Sequence, residues 1–303
     1  DRATAFAPGR VNLMGEHTDY NAGLALPFAI ERGITLTARP GTPTAPAGAE
    51  VFLRGVLADL RAAGYPVPDA TIEIESDLPI GAGLSSSAAL TVALALVLLE
   101  LGGHEEPRRT ELVRLCSRVE HEHVGARTGL LDQTAVLLAP QGCALLIDFA
   151  DLSTRPVPLA LGGWRLAVAD SGDRHVHGDS GYNDRRTECE RGDARRMRHV
   201  HGENARVRDA AAALDARNVA ALGPLLNASH ASLRDDFEVS TPAVESTRDR
   251  LLAAGATGAR IMGGGFGGSV LALFPPGVAL PKGCMATVPG PPAALVDPGA
   301  GAP

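Results

Sequence analysis

Residues 88–101 are apolar on every face of the helix they would form, and such a helix has to be buried in a core. Residues 88–99 are too few to cross a bilayer, and Glu100 followed by Gly102 and Gly103 ends the run. The segment just before it reads Leu78-Pro79-Ile80-Gly81-Ala82-Gly83-Leu84-Ser85-Ser86-Ser87. A glycine-serine turn is therefore expected to open directly into a buried helix. At 303 residues the chain is long for a single hydrophobic core, so two domains are expected.

The pattern around that helix is mixed. Residues 11–13, 24–30 and 34–38 read as strands, 41–48 as a loop, 51–63 as a helix, and 71–76 as an alternating strand with Ile72 and Ile74 on one face. Residues 111–123 read as an amphipathic helix with Leu112, Leu115, Cys116 and Val119 on one side, followed by a helix over 130–139 and strands over 143–148 and 165–169. A polar helix is expected over 182–190, and helices over 204–227 broken near Arg217 and Gly223. Thr241-Pro242 joins a cap to a proline at the first helical position, starting a helix that runs to about residue 254. A strand over 259–262, a glycine turn over 263–268 and a strand over 270–274 follow, and residues 275–303 are Pro/Gly-rich with little signal.

Net charge is −7, which argues against a nucleic-acid partner, since that would need a basic face. Lys282 is the only lysine among 28 basic residues, an imbalance that reads as coding bias. Cys116, Cys143, Cys189 and Cys284 are too scattered for zinc or redox spacing and read as free thiols. With no secretory pattern and no membrane span, the expected location is the cytoplasm and the expected state a monomer.

The stretch Ala7-Pro8-Gly9-Arg10-Val11-Asn12-Leu13-Met14-Gly15-Glu16-His17-Thr18-Asp19-Tyr20-Asn21 gathers an Arg, a Glu, a His and an Asp around one glycine. A tight turn at the glycine lets side chains from both sides converge on one small volume. Such a cluster can hold sugar hydroxyls and set a cation beside a reacting phosphate; a polar turn after an edge strand is the alternative. Gly81 to Ser87 suits phosphate in another way, because a helix N-terminus offers unpaired N–H groups and partial positive charge. It lacks the lysine of a Walker loop and the third glycine of a dinucleotide fingerprint.

Glu120 lies four residues after Cys116, beside the apolar stripe, where a carboxylate has to be paired or metal-bound. Pairing with Arg114 or Arg118 and metal binding both remain open at this point. Asp132, at an apparent helix start, reads equally as a first-turn residue. Tyr182 can offer a hydroxyl and a ring face to a sugar, whereas Arg185, Arg186, Glu188 and Glu190 read as ion pairs on a solvated helix. His175 and His177 have zinc-like spacing without partner ligands, so no metal site is expected there.

The first motif, the serine-rich loop and Gly263-Gly264-Gly265-Phe266-Gly267-Gly268, in that order, resemble the three motifs of galactokinases, a branch of the GHMP small-molecule kinases. Gly129-Leu130-Leu131-Asp132-Gln133, Tyr182-Asn183 and Ser232 to Ser240 also resemble galactokinase segments, and the likeness runs from about residue 5 to 274. It implies an α+β fold in two lobes. A GHMP N-terminal domain over residues 1–160, with a left-handed βαβ unit, would carry the sugar motif and the ATP phosphate loop. A ferredoxin-like C-terminal domain would span 161–303.

The implied activity is ATP-dependent phosphorylation of galactose at O1. Arg10 would stabilise the transferring phosphoryl group, and Asp132 would accept the O1 proton. Glu16, His17, Thr18, Asp19, Gly129 and Tyr182 would bind the sugar. Gly81, Ala82, Gly83, Leu84, Ser85, Ser86 and Ser87 would bind ATP, with Ser87 and Glu120 holding Mg2+. Met14, Thr91 and Leu131 depart from the residues common in the family, and the short tail leaves the last strand of the second domain unaccounted for. The alternatives are a kinase for N-acetylgalactosamine or arabinose, and a sensor that binds ATP and sugar without turnover; the complete run Ser85 to Ala89 speaks against the sensor.

Overall fold

The computed structural model describes residues 2–79, 81–125, 127–173 and 178–296. The chain begins with β1 (Ala3–Asn12), turns through β2 (Leu24–Ala25), and returns along β3 (Pro27–Pro40). It continues through α1 (Glu50–Ala62), β4 (Ala70–Ser76), α2 (Ser86–Leu101), α3 (Arg109–Val119), α4 (Leu131–Leu138), β5 (Cys143–Asp148) and β6 (Ser153–Pro158). The second half holds β7 (Arg165–Asp170), α5 (Gly178–Glu190), α6 (Ala194–Asp215), α7 (Leu222–Asp235), α8 (Pro242–Ala253), β8 (Gly258–Met262) and β9 (Ser269–Phe274). The short strands β10 (Cys284–Ala286) and β11 (Ala294–Leu295) close it.

Three sheets result, in the orders β11-β1-β3-β4, β2-β5-β6 and β10-β7-β9-β8. Among the described residues every named ladder is antiparallel. The implied βαβ unit therefore has to join strands that are not hydrogen-bonded neighbours. α2 is buried on all sides, packed on β1 and β3 and against α1, α3 and α4, as a uniformly apolar helix must be. The second sheet of four is covered by α7 and α8. Thr241 caps α8, its side chain accepting from the Val244 N–H. All four cysteines are free. No helix among the described residues is long and apolar enough to cross a membrane.

Several elements differ from the sequence expectation. β3 is one strand where two were expected. The exposed pair Glu31–Arg32 interrupts its alternation, yet it runs on, and the register of β1 against it shifts between Pro8 and Arg10. That bulge carries β1 to the serine loop, where the Arg10 N–H donates to the Leu84 carbonyl at 3.1 Å. β6 escaped notice because it is an edge strand with two prolines and five exposed residues. The regular helix expected over 111–123 ends at Val119 and gives way to a π-helical turn over Glu120–Val124. α6 begins ten residues before the expected start, with Asp193 accepting from the Arg195 and Arg196 amides as its cap. The break comes at Arg217, whose φ is 55°, whereas Gly223 stays inside α7. His175 and His177 lie outside the described residues.

The expected division at residue 160 falls between β6 and β7, where the chain changes sheets. The tail departs from the expected span 161–303. β10 is the edge strand left unaccounted for, paired with β7. The chain then crosses back, and β11 pairs with β1 through Ala5–Leu295 and Phe6–Ala294. The N–H groups of Gly290, Ala293 and Val296 donate to the carbonyls of Ala29, Val136 and Thr4. At roughly 0.5–1.5 kcal/mol net for each of these three hydrogen bonds, removing residues 288–303 should lower stability by about 1.5–4.5 kcal/mol and leave the β1 edge open to association. Urea unfolding and light scattering measure both effects, and an unchanged midpoint would show that the first sheet does not need its returning strand.

Candidate active site

A cavity of about 950 Å³ lies where the polar turn after β1, the serine loop, the approach to α4, the start of α5 and the glycine turn after β8 meet. The serine loop forms one wall. Gly81, Gly83 and Ser85 take positive φ values of 74°, 66° and 58°. Left-handed residues at every second position curl the backbone tightly, the kind of turn that can form a nest for anions. The N-terminus of α2 adds its unpaired first-turn amides. Ser85 stands at the cap position without capping, because its Oγ donates instead to Asp132 Oδ2 at 2.6 Å. Ser269 Oγ holds the loop from the second sheet, donating to the Ala82 carbonyl at 2.8 Å.

Arg10 and Asp132 meet at the centre. Arg10 is 5% exposed; its Nε donates to Asp132 Oδ1 at 2.8 Å, its Nη2 lies 2.8 Å from the same oxygen, and its Nη1 donates to the Gly83 carbonyl at 2.6 Å. One guanidinium thus touches both the carboxylate and the anion cradle. The Asp132 side chain keeps 24% of its surface exposed, so it remains open to the cavity.

Glu120 lies one layer behind the wall, at the first position of the π-helical turn. Its Oε2 accepts from Ser87 Oγ at 3.1 Å and its Oε1 from Gln133 Nε2 at 2.7 Å. Neither Arg114 nor Arg118 pairs with it; Arg118 bonds Asp59 instead. Burial, then the nearby Asp132 charge, push the Glu120 carboxyl up to about 7. A buried carboxylate held only by neutral donors, next to a hydroxyl on the cavity wall, offers the hard oxygen donors that a small divalent cation takes.

The polar turn supplies the opposite wall. Glu16, His17 and Asp19 line the cavity together with Gly129 and Tyr182. Asp19 accepts from the Tyr20 and Leu131 amides at 3.0 and 3.4 Å, and burial and then Asp132 push its carboxyl up to about 6. Gly129 packs so closely that a Cβ there would overlap the Asp19 carboxylate. Burial, reinforced by His199, holds His17 down at about 3, so its ring is neutral. Nε2 faces the Gly264 carbonyl at 3.2 Å and must carry the hydrogen, which leaves Nδ1 to accept from the Tyr20 hydroxyl at 2.7 Å. The Tyr182 ring lies 5.2 Å from the His17 ring.

Thr18 is a correction. It has no exposed surface and does not line the cavity; its Oγ1 contacts the Gly15 and Leu24 carbonyls at 3.0 and 2.7 Å, closing the turn from within.

Other functional residues gave no signal in the sequence reading. One face of α6 grips the polar turn: His199 Nε2 lies 3.1 Å from the Glu16 carbonyl, Glu203 accepts from the Gly15 N–H at 3.0 Å, and Asn204 accepts from the Leu24 N–H at 2.8 Å. Burial favours a protonated Glu203, but His199, Arg206 and Arg260 outweigh it and hold the carboxyl down at about 2. Arg260 is fully buried beneath Glu16. A charged residue inside a five-residue apolar strand was the available clue to it. Arg127, Thr128 and Asn183 also line the cavity.

Known proteins give the same picture. The family description "GHMP kinases N terminal domain" fits residues 51–139, "Galactokinase galactose-binding signature" fits residues 1–40 and "GHMP kinases C terminal" fits residues 210–280. Galactokinase from Mycobacterium tuberculosis is 41% identical over an alignment covering 89% of this chain and 88% of that protein. Galactokinase from Streptomyces coelicolor is 38% identical, with 88% and 83% covered. The crystal structure of Lactococcus lactis galactokinase complexed with galactose matches with a TM-score of 0.87 at 28% identity, covering 97% of this chain and 95% of that one. Mevalonate kinase from Methanococcus jannaschii, at 20% identity and a TM-score of 0.71, shares the fold.

The Glu120 environment has a measurable consequence. In the folded state its carboxyl binds a proton at about pH 7 rather than the ordinary 4.5. Between those values the folded chain holds more protons than the unfolded one, so this contribution to stability grows as pH falls through 7 toward 4.5 and is lost as pH rises. Glu120→Gln removes it. In EDTA, the parent should gain on the variant by up to about 3 kcal/mol across that window in urea unfolding, whereas a difference independent of pH would contradict the assignment.

Proposed function

The chain belongs to the galactokinases of the GHMP kinase superfamily, and from that premise we propose that it transfers the γ-phosphoryl group of ATP to O1 of galactose. The observation that carries this reading is the Arg10 guanidinium, which bridges Asp132 and the Gly83 carbonyl of the anion cradle. The base and the phosphate are thereby held within reach of one cation.

The nest at Gly81 to Ser87 binds the ATP phosphates, and Glu16, His17, Asp19 and Tyr182 hold the sugar with O1 toward Asp132. Gly129 acts by letting Asp19 come close. As O1 attacks, a new O1–P bond forms and the bond from the γ-phosphorus to ADP breaks. The O1 proton passes to Asp132, which Ser85 and Arg10 hold in place. Arg10 steadies the charge on the phosphoryl oxygens, where a planar, fixed guanidinium is well suited. Glu120 and Ser87 would hold Mg2+, whose charge would neutralise the phosphates. The reading is of a monomeric enzyme, and the use of ATP suits the cytoplasm.

Coupled ADP release with a panel of hexoses tests the reading. Galactose should be turned over, and a folded preparation that releases no ADP with it would overturn the assignment. Asp132→Asn should lower kcat by about 10²–10⁴-fold. Arg10→Lys should also lower kcat with little change in the KM for galactose, because the fork that spans base and cradle is lost.

A further inference from the structure

Arg260 stands in β8, a strand buried along its whole length, and has no exposed surface. A guanidinium so placed needs an acceptor for each donor edge. Nε donates to the Leu13 carbonyl at 3.1 Å, Nη1 to the Ile261 carbonyl at 3.1 Å, and Nη2 to the Asn12 carbonyl and to Glu16 Oε1, the latter at 3.1 Å. Two of these carbonyls lie where β1 gives way to the polar turn. Arg260 therefore grips the entry to the turn as well as the carboxylate that follows. The Gly263 N–H donates to the same Glu16 Oε1 at 2.8 Å. That oxygen is fixed from two sides by β8 and its glycine turn. The other oxygen, Oε2, makes no hydrogen bond to any described residue, and Glu16 lines the cavity.

We propose that Arg260 is a positioning residue for sugar binding, acting through Glu16: it locks one carboxylate oxygen so that the other faces the cavity as an acceptor for a galactose hydroxyl. The inference rests on the cavity being a galactose site. Arg260 does not line the cavity, and of the groups it bonds Glu16 is the one that does. Its removal frees Glu16 to rotate and leaves a buried charge without its partner, so the loss appears in sugar binding rather than in nucleotide binding.

The test is a double-mutant cycle with Arg260→Lys and Glu16→Gln, read by calorimetric titration with galactose and, separately, with ATP. Arg260→Lys should weaken galactose binding by about 10- to 100-fold, the usual scale for losing an orienting partner, and change ATP affinity by less than about 3-fold. In the Glu16→Gln background the same Lys substitution should alter galactose affinity by less than about 2-fold, since the group it acts through is already changed. Equal losses in both backgrounds would overturn the proposal. So would a lowered Tm with unchanged galactose affinity, which marks a purely structural role. If Arg260→Lys does not fold, a second readout leaves position 260 untouched: galactose should slow hydrogen exchange at the Gly263 amide in the parent but not in Glu16→Gln, and equal slowing in both would overturn the proposal. A parent that neither binds nor phosphorylates galactose defeats the activity assignment instead, so the two failures are distinguishable.

Discussion

A buried guanidinium sets the geometry of this molecule. Arg260 has no contact with water, and its donors end on two carbonyls of the first lobe, one carbonyl of its own strand and the Glu16 carboxylate. Removing such a cation from water costs several kcal/mol, which only well-placed acceptors offset. The arrangement therefore tolerates little drift between the end of β1 and β8. Because the strands belong to different sheets, the same contact sets how the polar turn meets the glycine turn.

α6 extends the constraint. His199, Glu203 and Asn204 recur at helical spacing and reach the polar turn and the strand it leads into: the Glu16 carbonyl, the Gly15 amide and the Leu24 amide at the start of β2. Ser229 of α7 and Arg206 secure Glu203 in turn. The sugar motif is thus a loop by connectivity but a rigid element by bonding. Its cavity-facing side chains project from a backbone whose Gly15 amide and Gly15, Glu16, His17 and Thr18 carbonyls are already engaged. Positioning residues on helices and strands behind a loop give it the precision that a loop alone lacks.

The legible parts of the chain are those where the cause is local. α2, β4 and α8 follow from periodicity or capping, and the anion cradle from glycines and serines placed before a buried helix. Contacts between distant segments stayed hidden. The first half of α6 shows no apolar periodicity, because what it buries is polar: His199 and Glu203 against the polar turn, and Arg196 against Glu188 and Glu238. β11 has only two residues and exists because β1 offers an edge. Thr18 sits among cavity residues in sequence, yet the turn directs its hydroxyl to its own backbone. Residue type gave the chemistry, whereas direction came from the fold. Asp132 and Glu120 show the converse: each had a bland local reading, and only their meeting with Arg10, Ser85 and Ser87 separates them from ordinary helix carboxylates.

The carboxylates around the cavity explain why each needs a different neighbour. In the proposed reaction Glu16, Asp19, Glu120 and Asp132 crowd a space that would receive phosphates, so unbalanced charge there would repel the nucleotide. Glu16 is balanced by Arg260 and Asp132 by Arg10. Asp19 has backbone amides alone and is pushed up to about 6. Glu120 has an amide and a hydroxyl and is pushed up further, to about 7. Asp19 and Glu120 thus have hydrogen bonds but, among the described residues, no cation within pairing distance, and of the two Glu120 sits beside the Ser87 hydroxyl at the start of α2. If the proposed Mg2+ binds there, it would meet a group whose charge is costly without it, so ion and carboxylate would stabilise each other while the phosphates would lose their excess charge. On that reading, the repulsion among these carboxylates would become part of what binds the substrate.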